Sequence, residues 1–291
     1  MAPKSKKNNI GAHVSAAGGV EKVAQRAHEI GCECYQFFTR SPQGGNVKPI
    51  TKDMVLAFER ENTKYGFTHT YVHAPYFINL ASTNNKTYYG SISILREELE
   101  RCSLLGVRGL MTHIGSAHDL SEKEAVERTA QAVTELLKDY KGRTRFLLEV
   151  SAGAGNIMGA TLTQINTIIT LSEKNVSKKS IGVCLDTAHL FASGYDIRTK
   201  KDVEKVAKEI RTSFGWDRVE VIHSNDSKVD LGERKDRHEH IGKGKIGKEG
   251  FEALITHKEF GKVDFILETP EEELRKQDIR ILKGMRDRVT K

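Results

Sequence analysis

The chain has 291 residues, of which 38% are hydrophobic, and its 46 lysines and arginines against 39 acidic residues give a formal net charge of +7. This composition is that of a folded globular protein and excludes a fibrous or largely disordered chain, while no stretch approaches the about 18 apolar residues of a membrane span. The positive charge permits a polyanionic partner such as nucleic acid without identifying one, and the four scattered cysteines exclude a disulfide scaffold.

The chain begins with the basic segment MAPKSKK, and because no apolar segment follows it, the pattern of a secretory signal is missing. We predict a disordered tail over residues 1–8 and one domain over residues 9–291, because no later shift in composition marks a linker. The expected location is the cytoplasm, in association with the nucleoid. In a eukaryotic or viral protein the basic tail would instead be a weak nuclear localisation signal.

Eight short apolar runs, rich in β-branched, leucine and aromatic residues, predict buried strands. The runs cover residues 9–15, 34–39, 70–74, 109–114, 145–150, 181–187, 219–224 and 264–269. Between them, apolar residues repeat at helical spacing, most clearly over 20–30, 126–137 and 203–210. This alternation predicts an α/β fold, a single (β/α)₈ TIM barrel. A doubly wound open sheet is built from the same unit and is the structural alternative.

Histidine, aspartate and glutamate follow most of these strands, where a barrel gathers its chemistry. Seven lie at predicted strand ends and two in the loop that follows the seventh strand: His73, His113, Glu149, Asp186, His189, His223, Glu268, Asp236 and His238. A single such histidine is usually structural, but nine converging ionisable groups would be costly to bury without a cation. Imidazole nitrogen and carboxylate oxygen suit Zn²⁺ or Mn²⁺, so the pattern predicts a polynuclear metal site.

Two of these pairs leave their arrangement open. Asp186 and His189, three residues apart where a strand enters a turn, can share one metal, serve two neighbouring metals, or only hydrogen-bond. Asp236 and His238 lie on one side of the chain if the segment is extended. The alternative interpretation of the same residues is a solvated charged loop without a ligand role. His13, on the first strand, is interpreted as structural.

Further residues suggest contacts with a nucleic acid. Gly242 and Gly244, alternating with Lys243, can approach a phosphate through main-chain N–H groups, although a flexible loop has the same composition. Tyr76 and Phe77 follow His73 directly and can either wedge into a base stack or pack under a neighbouring loop.

Taken together, six segments resemble the endonuclease IV family, the zinc-dependent apurinic/apyrimidinic (AP) endonucleases. They are GAHVSAAGG at 11–19, HAPYFINL at 73–80, GVCLDTAHLFASGYD at 182–196, HSNDSK at 223–228, DRHEHIGKGKIG at 236–247 and ETP at 268–270. The resemblance runs from about residue 9 to the C-terminus, in the family's order and spacing. It implies a (β/α)₈ barrel that holds three metal ions.

The resemblance also implies a ligand set. The first zinc would be held by His73, His113 and Glu149, the second by Glu149, Asp186, His223 and Glu268, and the third by His189, Asp236 and His238. Manganese can replace zinc in part. By the same resemblance, Tyr76 and Phe77 would enter the minor groove at the lesion, and Arg237 and Lys243 would contact phosphates.

The sequence departs from the family's usual pattern at three places. Ile114 stands in HIGS where the family has HPGS, and Val150 and Ser151 stand where it has Asn-Thr after the fifth strand. In the loop TRSPQGGN, Gln43 occupies the place of a basic or bulky wedge, for which Arg40 is a possible substitute. The first two concern the surroundings of the metals, and the third concerns lesion recognition.

The implied reaction is hydrolysis of the phosphodiester 5′ to an abasic site in duplex DNA, leaving a 3′-hydroxyl and a 5′-deoxyribose phosphate. Glu149 and Glu268 would be the catalytic carboxylates, and the same centre would remove 3′ blocking groups. The expected partner is therefore duplex DNA with abasic sites or blocked 3′ ends. We expect a monomer without a membrane partner.

Two other classes of function remain alternatives. A sugar isomerase or epimerase on the same barrel would use Glu149, Asp186, His223 and Glu268 for one or two ions, leaving the other five candidate ligands without a role. A protein that binds abasic sites without cutting them would be consistent with the three departures. Metal stoichiometry separates the first alternative from the nuclease, and binding without cleavage would identify the second.

Overall fold

The computed structural model of the protein describes residues 8–45 and 47–288. Ten strands lie in chain order: β1 Ile10–His13, β2 Tyr35–Phe37, β3 Thr70–His73, β4 Gly109–Thr112, β5 Arg145–Glu149, β6 Ile181–Asp186, β7 Val219–His223, β8 Asp226–Ser227, β9 His238–Glu239 and β10 Asp264–Leu267. Eight of them form a closed parallel barrel in the order β1-β10-β7-β6-β5-β4-β3-β2. The short strands β8 and β9 form an antiparallel pair outside the barrel.

Helices connect the strands and surround the barrel. They are α1 Val23–Glu29, α2 Lys52–Tyr65, α3 Asn85–Leu104, α4 Glu122–Leu137, α5 Leu162–Ser172, α6 Thr187–Ser193, α7 Lys200–Thr212, α8 Gly247–Thr256 and α9 Arg275–Arg288. Several of these helices begin at an N-cap residue whose side-chain oxygen accepts a hydrogen bond from a backbone N–H of the first turn. At α4, Ser121 and Glu124 form a reciprocal capping box. The apolar stripe of α7 is buried against the barrel.

The predicted single TIM barrel is confirmed. Each of the eight predicted runs contains one barrel strand. The open sheet is excluded because β1 pairs in parallel with β10 as well as with β2, with Ile10 opposite Phe265. The predicted helix over 20–30 is shorter than expected, because a 3₁₀ turn over Val20–Lys22 precedes α1.

The hydrophobic core has two parts. One lies between the strands and the helices, and the other fills the inside of the barrel with Cys34, Tyr71, Met111, Leu147, Cys184, Val221 and Ile266. All four cysteines are buried and unpaired, as predicted. Burial raises the pKa of the Cys184 thiol to about 12, so this thiol is a packing group at neutral pH.

The predicted basic tail lies almost wholly outside the described residues, which begin at Asn8. Asn8 itself differs from the prediction. It is buried, and its carbonyl accepts a hydrogen bond from Arg286 of α9 at 2.8 Å. Within the described part of the chain, none of the helices combines the length and the apolarity that crossing a membrane requires.

Candidate metal centre

The mouth of the barrel is lined by polar side chains because inward positions on a strand recur every second residue. Two residues after each member of the inner core, at the carboxyl end of the strand, comes a polar group. These groups are Gln36, His73, His113, Glu149, Asp186, His223 and Glu268. The alternation that fills the barrel with apolar atoms therefore also delivers six of the nine predicted ligands to one place.

The first group is built around Glu149, which is fully buried at the end of β5. Its Oε2 lies 3.1 Å from Nε2 of His73 and 3.6 Å from Nδ1 of His113. His73 ends β3 and His113 follows β4, so the neighbouring strands β3, β4 and β5 bring these three side chains together. The three donor atoms are close enough to share one cation.

The second group uses the other oxygen of Glu149. Nδ1 of His223 lies 2.9 Å from Glu149 Oε1, 3.1 Å from Glu268 Oε2 and 3.9 Å from Asp186 Oδ2. Asn225 supports this group, since its amide donates to Asp186 Oδ2 at 2.7 Å and its carbonyl oxygen accepts from the backbone N–H of Glu268. Glu149 thus lies between the first and second groups.

The third group joins the end of β6 to the loop after β7. Asp186 is the N-cap of α6, and its Oδ1 accepts from the backbone N–H of His189 at 2.8 Å, which explains the spacing of three residues. The two oxygens of Asp236 lie 3.2 Å from Nε2 of His189 and 3.2 Å from Nε2 of His238. His238 also approaches Asp186 at 3.6 Å. Asp236 and His238 therefore face the same way, as an extended segment predicts.

Four of the histidine rings are oriented by a hydrogen bond on the nitrogen that faces away from the carboxylates. Nδ1 donates to the carbonyl of Ala74 in His73 and to that of Val150 in His189, and Nδ1 of His238 faces the carbonyl of Glu268. In His223 the donor is Nε2 and the acceptor is the side chain of Gln36. In its neutral form each ring therefore has its lone pair on the nitrogen that faces the carboxylates, as metal-binding histidines do.

The residues present fit divalent cations. The nitrogens Nε2 of His189 and His238 are buried, and neither has a hydrogen-bond partner among the described residues, although both face Asp236. Orphaned buried polar atoms of this kind are uncommon in proteins unless they bind water or an ion. Imidazole nitrogens and carboxylate oxygens make up the three groups, the third of which brings Asp186 as well as Asp236 to His189 and His238. This is the donor set that Zn²⁺ and Mn²⁺ prefer.

Glu149 and Glu268 have lowered pKa values. Burial by itself raises a carboxyl pKa, but His113 and His223 hold the pKa of Glu149 well below its usual range. Against its own burial, the same effect from His223 and His73 lowers the pKa of Glu268 to about 2. The mouth of the barrel therefore carries buried negative charge that a cation would neutralise.

The third group has the same electrostatics. Burial disfavours a charge on His189, but the carboxylates of Asp186 and Asp236 outweigh it and raise the pKa of His189 to about 10. In turn, His189 and His238 hold the pKa of Asp236 far below its usual range. Protons on these rings occupy the positions that a metal ion would take.

Two residues at the mouth were not predicted as part of the site. Gln36 is fully buried and contacts both His223 and Glu268. His13, interpreted as structural, accepts a hydrogen bond from the Gln36 amide through Nδ1, and burial lowers the pKa of His13 to about 3, so its ring is neutral. The sequence signal for Gln36 was its position two residues after Cys34, because alternate residues of a strand point into the barrel.

The departures near the candidate centre do not remove any of the donor atoms. Val150 orients His189 through its main-chain carbonyl, which any residue supplies. The Ser151 hydroxyl donates to the carbonyl of Met158 at 2.8 Å. Ile114 is buried in the core and accepts from the backbone of Leu80.

The rim beside the centre carries exposed aromatic rings. Tyr76 is 61% exposed and Phe77 is 43% exposed, and they follow His73 directly. The loop after β2 lies against them, because the Tyr76 N–H donates to the Pro42 carbonyl and Gly44 approaches the Phe77 ring. Gln43, in that loop, is exposed. These residues form one ridge at the mouth.

Arg40 has a different environment from the one predicted for a wedge. Its side chain is largely buried, with Nε 2.6 Å from Glu98 and Nη2 2.7 Å from Glu97 on α3. Arg101 of α3 completes the contact by donating to the carbonyls of Thr39 and Lys48. Because the guanidinium would have to leave two carboxylates to reach a ligand, this placement disfavours a DNA contact by Arg40.

The Lys/Gly loop over 242–247 is held from inside. The Asp226 carboxylate accepts from the backbone N–H groups of Gly242 at 2.9 Å, Gly244 at 3.0 Å and Ile246 at 2.9 Å. The amides that the sequence suggested for phosphate binding are therefore already used. Lys243 and Arg237 are among the exposed cations that this region offers to an anion.

A cavity of about 370 Å³ opens between the ridge and the centre. Its wall includes Phe77 and Ile157 on the apolar side and His113, His189 and Asp236 on the side of the candidate ligands. A molecule in this cavity would lie directly beside the first and third groups.

Comparison with known proteins places this geometry among related barrels. The sequence family described as xylose isomerase-like TIM barrel matches residues 24–285. The protein named "Probable endonuclease 4" from Aquifex aeolicus is 40% identical over 265 residues, which cover 90% of this chain and 92% of the relative.

Solved structures agree with the fold. Endonuclease IV from Thermus thermophilus superimposes with a TM-score of 0.85 at 29% identity, covering 96% of this chain and 99% of that one. A D-tagatose 3-epimerase-like protein superimposes with a TM-score of 0.72 at 20% identity, covering 97% and 98%. The second likeness shows the shared barrel alone, so the barrel does not separate nucleases from epimerases.

Proposed function

This chain belongs to the endonuclease IV family, and from that membership we propose that it is a DNA-repair nuclease that hydrolyses the phosphodiester 5′ to abasic sites in duplex DNA. The products are a 3′-hydroxyl and a 5′-deoxyribose phosphate, and blocked 3′ ends are a second substrate of the same centre. The observation that carries the proposal is the arrangement of nine donor side chains in three adjoining groups at one mouth of the barrel.

Three zinc ions, or manganese in part, would be held by these groups: His73, His113 and Glu149; Glu149, Asp186, His223 and Glu268; and His189, Asp236 and His238. Metal ions bound there would supply Lewis acidity, by lowering the pKa of a water toward about 7 and neutralising the charge that develops on the phosphate. Glu149 supports two groups at once, because each of its oxygens faces a different set of histidines.

Glu268 is the carboxylate best placed to orient the attacking water. Its side chain is 20% exposed, whereas Glu149 and Asp186 are fully buried. One of its oxygens accepts from Gln36 and the other faces His223, so the carboxylate is held in place while remaining accessible from the mouth. It can orient the water by accepting its hydrogen bond while the new bond to phosphorus forms, the bond to the 3′-oxygen breaks and the 3′-oxygen takes up the proton that the water loses.

DNA would be recognised by the ridge and by the exposed cations. Tyr76 and Phe77 would enter the minor groove at the lesion, with Gln43 beside them, while Arg237 and Lys243 would contact phosphates. An abasic nucleotide has no base to unstack, so rotating it out of the helix costs less than rotating an intact one. The cavity of about 370 Å³ beside the centre is the place for such a sugar.

The site favours the nuclease over the two alternatives. A sugar isomerase or epimerase would need only the second group, but the first and third groups adjoin it in this chain. A protein that only binds abasic sites would not require the donors at all, and the departures at Ile114, Val150 and Ser151 leave every donor where it is.

The experiment that tests the proposal is cleavage of a labelled duplex with one tetrahydrofuran abasic analogue. The analogue cannot undergo β-elimination, so a cut 5′ to it is hydrolytic. We expect a metal-dependent cut there, none in an intact duplex, and none after treatment with a chelator. A protein shown to carry three metal ions that leaves the analogue uncut would contradict the proposal, and tight binding without cleavage would establish the binding protein instead.

A further inference from the structure

A single amide lies among the charged groups of the mouth. Gln36 is on β2, and its side chain is fully buried. Its Oε1 is 2.7 Å from Nε2 of His223, and its Nε2 is 2.6 Å from Oε1 of Glu268 and 2.9 Å from Nδ1 of His13. One acceptor and two donors of the amide are therefore used on three groups of the site.

These partners determine which end of the amide faces which group. The amide nitrogen faces the Glu268 carboxylate and Nδ1 of His13, both of which accept its hydrogen bonds. The amide oxygen consequently faces His223, and since an amide oxygen only accepts, Nε2 of His223 carries the proton. Nδ1, which points at Glu149 and Glu268, is then the nitrogen of that ring that is left for a metal ion.

His223 differs in this respect from the other three rings whose far nitrogen has an acceptor. Those of His73, His189 and His238 face main-chain carbonyls, which no substitution removes. Only in His223, among these four, does the tautomer depend on a side chain.

Without that side chain the opposite tautomer would be favoured. A proton on Nδ1 of His223 would be 2.9 Å from a Glu149 oxygen and would hydrogen-bond to it, which occupies the nitrogen that a metal needs. We propose that Gln36 is a positioning residue of the metal centre: its carboxamide keeps the His223 proton on Nε2 and holds the Glu268 carboxylate beside Nδ1. The inference rests on the proposed function only in taking His223 and Glu268 as metal ligands.

Zinc binding tests this inference without DNA. In Gln36→Leu we expect the zinc affinity of one of the three sites to fall by about 10- to 100-fold, as happens when the partner of a ligating histidine is lost. The measurement is competition with a chromophoric chelator, together with the zinc content of protein dialysed at a fixed free zinc concentration. Unchanged affinity and stoichiometry in Gln36→Leu would overturn the inference.

Asn62→Leu is the matched control, because it also removes a buried amide next to β2. Asn62 accepts from the hydroxyl of Tyr35, the neighbour of Gln36, at 2.8 Å, on the side away from the mouth. Both variants should lower the unfolding temperature, but only Gln36→Leu should lose zinc. Equal zinc loss in both would show that Gln36 acts through packing and would overturn the inference.

A measurement on the unmodified protein covers the case in which Gln36→Leu does not fold. In protein labelled with ¹⁵N-histidine and freed of zinc by a chelator, at a pH at which the ring is neutral, we expect the His223 ring to carry its proton on Nε2. A proton on Nδ1 would overturn the inference. Failure of the proposed function gives a different result. If Gln36→Leu loses zinc as expected but the unmodified protein does not cut the abasic duplex, the nuclease proposal is contradicted and the inference about Gln36 is not.

Discussion

At the scale of single residues, the candidate centre depends on which atoms of each side chain are used. Glu149 is the clearest case, because its two oxygens face His73 and His113 on one side and His223 on the other. An uncharged amide of the same shape would keep the volume of the side chain, but its NH₂ end would face one of these sets of rings. The loss of charge and of one acceptor should therefore affect two metal groups at once.

We expect Glu149→Gln to lower the cleavage rate of the abasic duplex by on the order of 10³-fold, equivalent to about 4 kcal/mol of activation free energy. Its zinc content should fall, while circular dichroism should show the fold of the unmodified protein. Glu59→Gln, an exposed position on α2, is the control and should cut normally. Near-normal turnover of Glu149→Gln would contradict the assignment.

At the scale of elements, the loops above the barrel owe their shape to buried acidic residues. Asp226 in β8 organises the loop over 242–247 through hydrogen bonds from several backbone amides, and Glu98 on α3 anchors the loop after β2 through Arg40 and Arg101. The candidate ligand His238 belongs to the same strand pair as Asp226, because it lies on β9 opposite Ser227 of β8.

Asp226→Asn should loosen the Lys/Gly loop, because the asparagine NH₂ would face backbone N–H groups that the carboxylate now accepts from. We expect faster amide hydrogen exchange over 242–247, a stability loss of about 1–3 kcal/mol, and about tenfold weaker binding of the abasic duplex. Asp53→Asn, exposed on α2, is the control. Unchanged exchange across the loop would show that Asp226 does not hold it.

At the scale of the whole molecule, a buried carboxylate joins the first and last barrel strands at the end opposite to the mouth. Asp264 begins β10 and accepts from the Asn9 side chain just before β1 at 2.8 Å and from the Tyr71 hydroxyl at 2.8 Å, and it pairs with His69. Burial raises the pKa of Asp264, but the hydrogen bond and charge of His69 outweigh that and lower it.

Because the pKa of Asp264 is lower in the folded chain, its contribution to stability is present above its unfolded value of about 3.9 and is lost as the pH falls through the folded pKa. Asp264→Asn should therefore be less stable than the unmodified protein by about 1–3 kcal/mol at pH 7, and this difference should shrink as the pH falls below about 4. Denaturant unfolding of both proteins with a chelator present, so that bound metal does not contribute, measures it. A difference that stays constant down to pH 3 would show that the charge of Asp264 is not what stabilises this seam.

Much of the molecule follows from local pattern. The eight apolar runs and the helical spacing between them predict the barrel, because period 2 and period 3.6 are properties of neighbouring residues. The same is true of His73 and Glu149, which appear as polar residues at the ends of apolar runs. The sequence also explains Asp186 and His189 once α6 is known, since an N-cap and the third residue of its helix are always close.

What the sequence alone determined was the barrel, the identity of the candidate ligands and the end of the barrel at which they meet. The tertiary structure decided how they are used: that Arg40 pairs with α3, that Asp226 accepts from the loop amides, and that Gln36, 187 positions before His223, hydrogen-bonds to that ring. The physical reason is distance along the chain. Periodicity and capping act within a few residues, whereas these hydrogen bonds exist only after barrel closure has brought remote strands side by side.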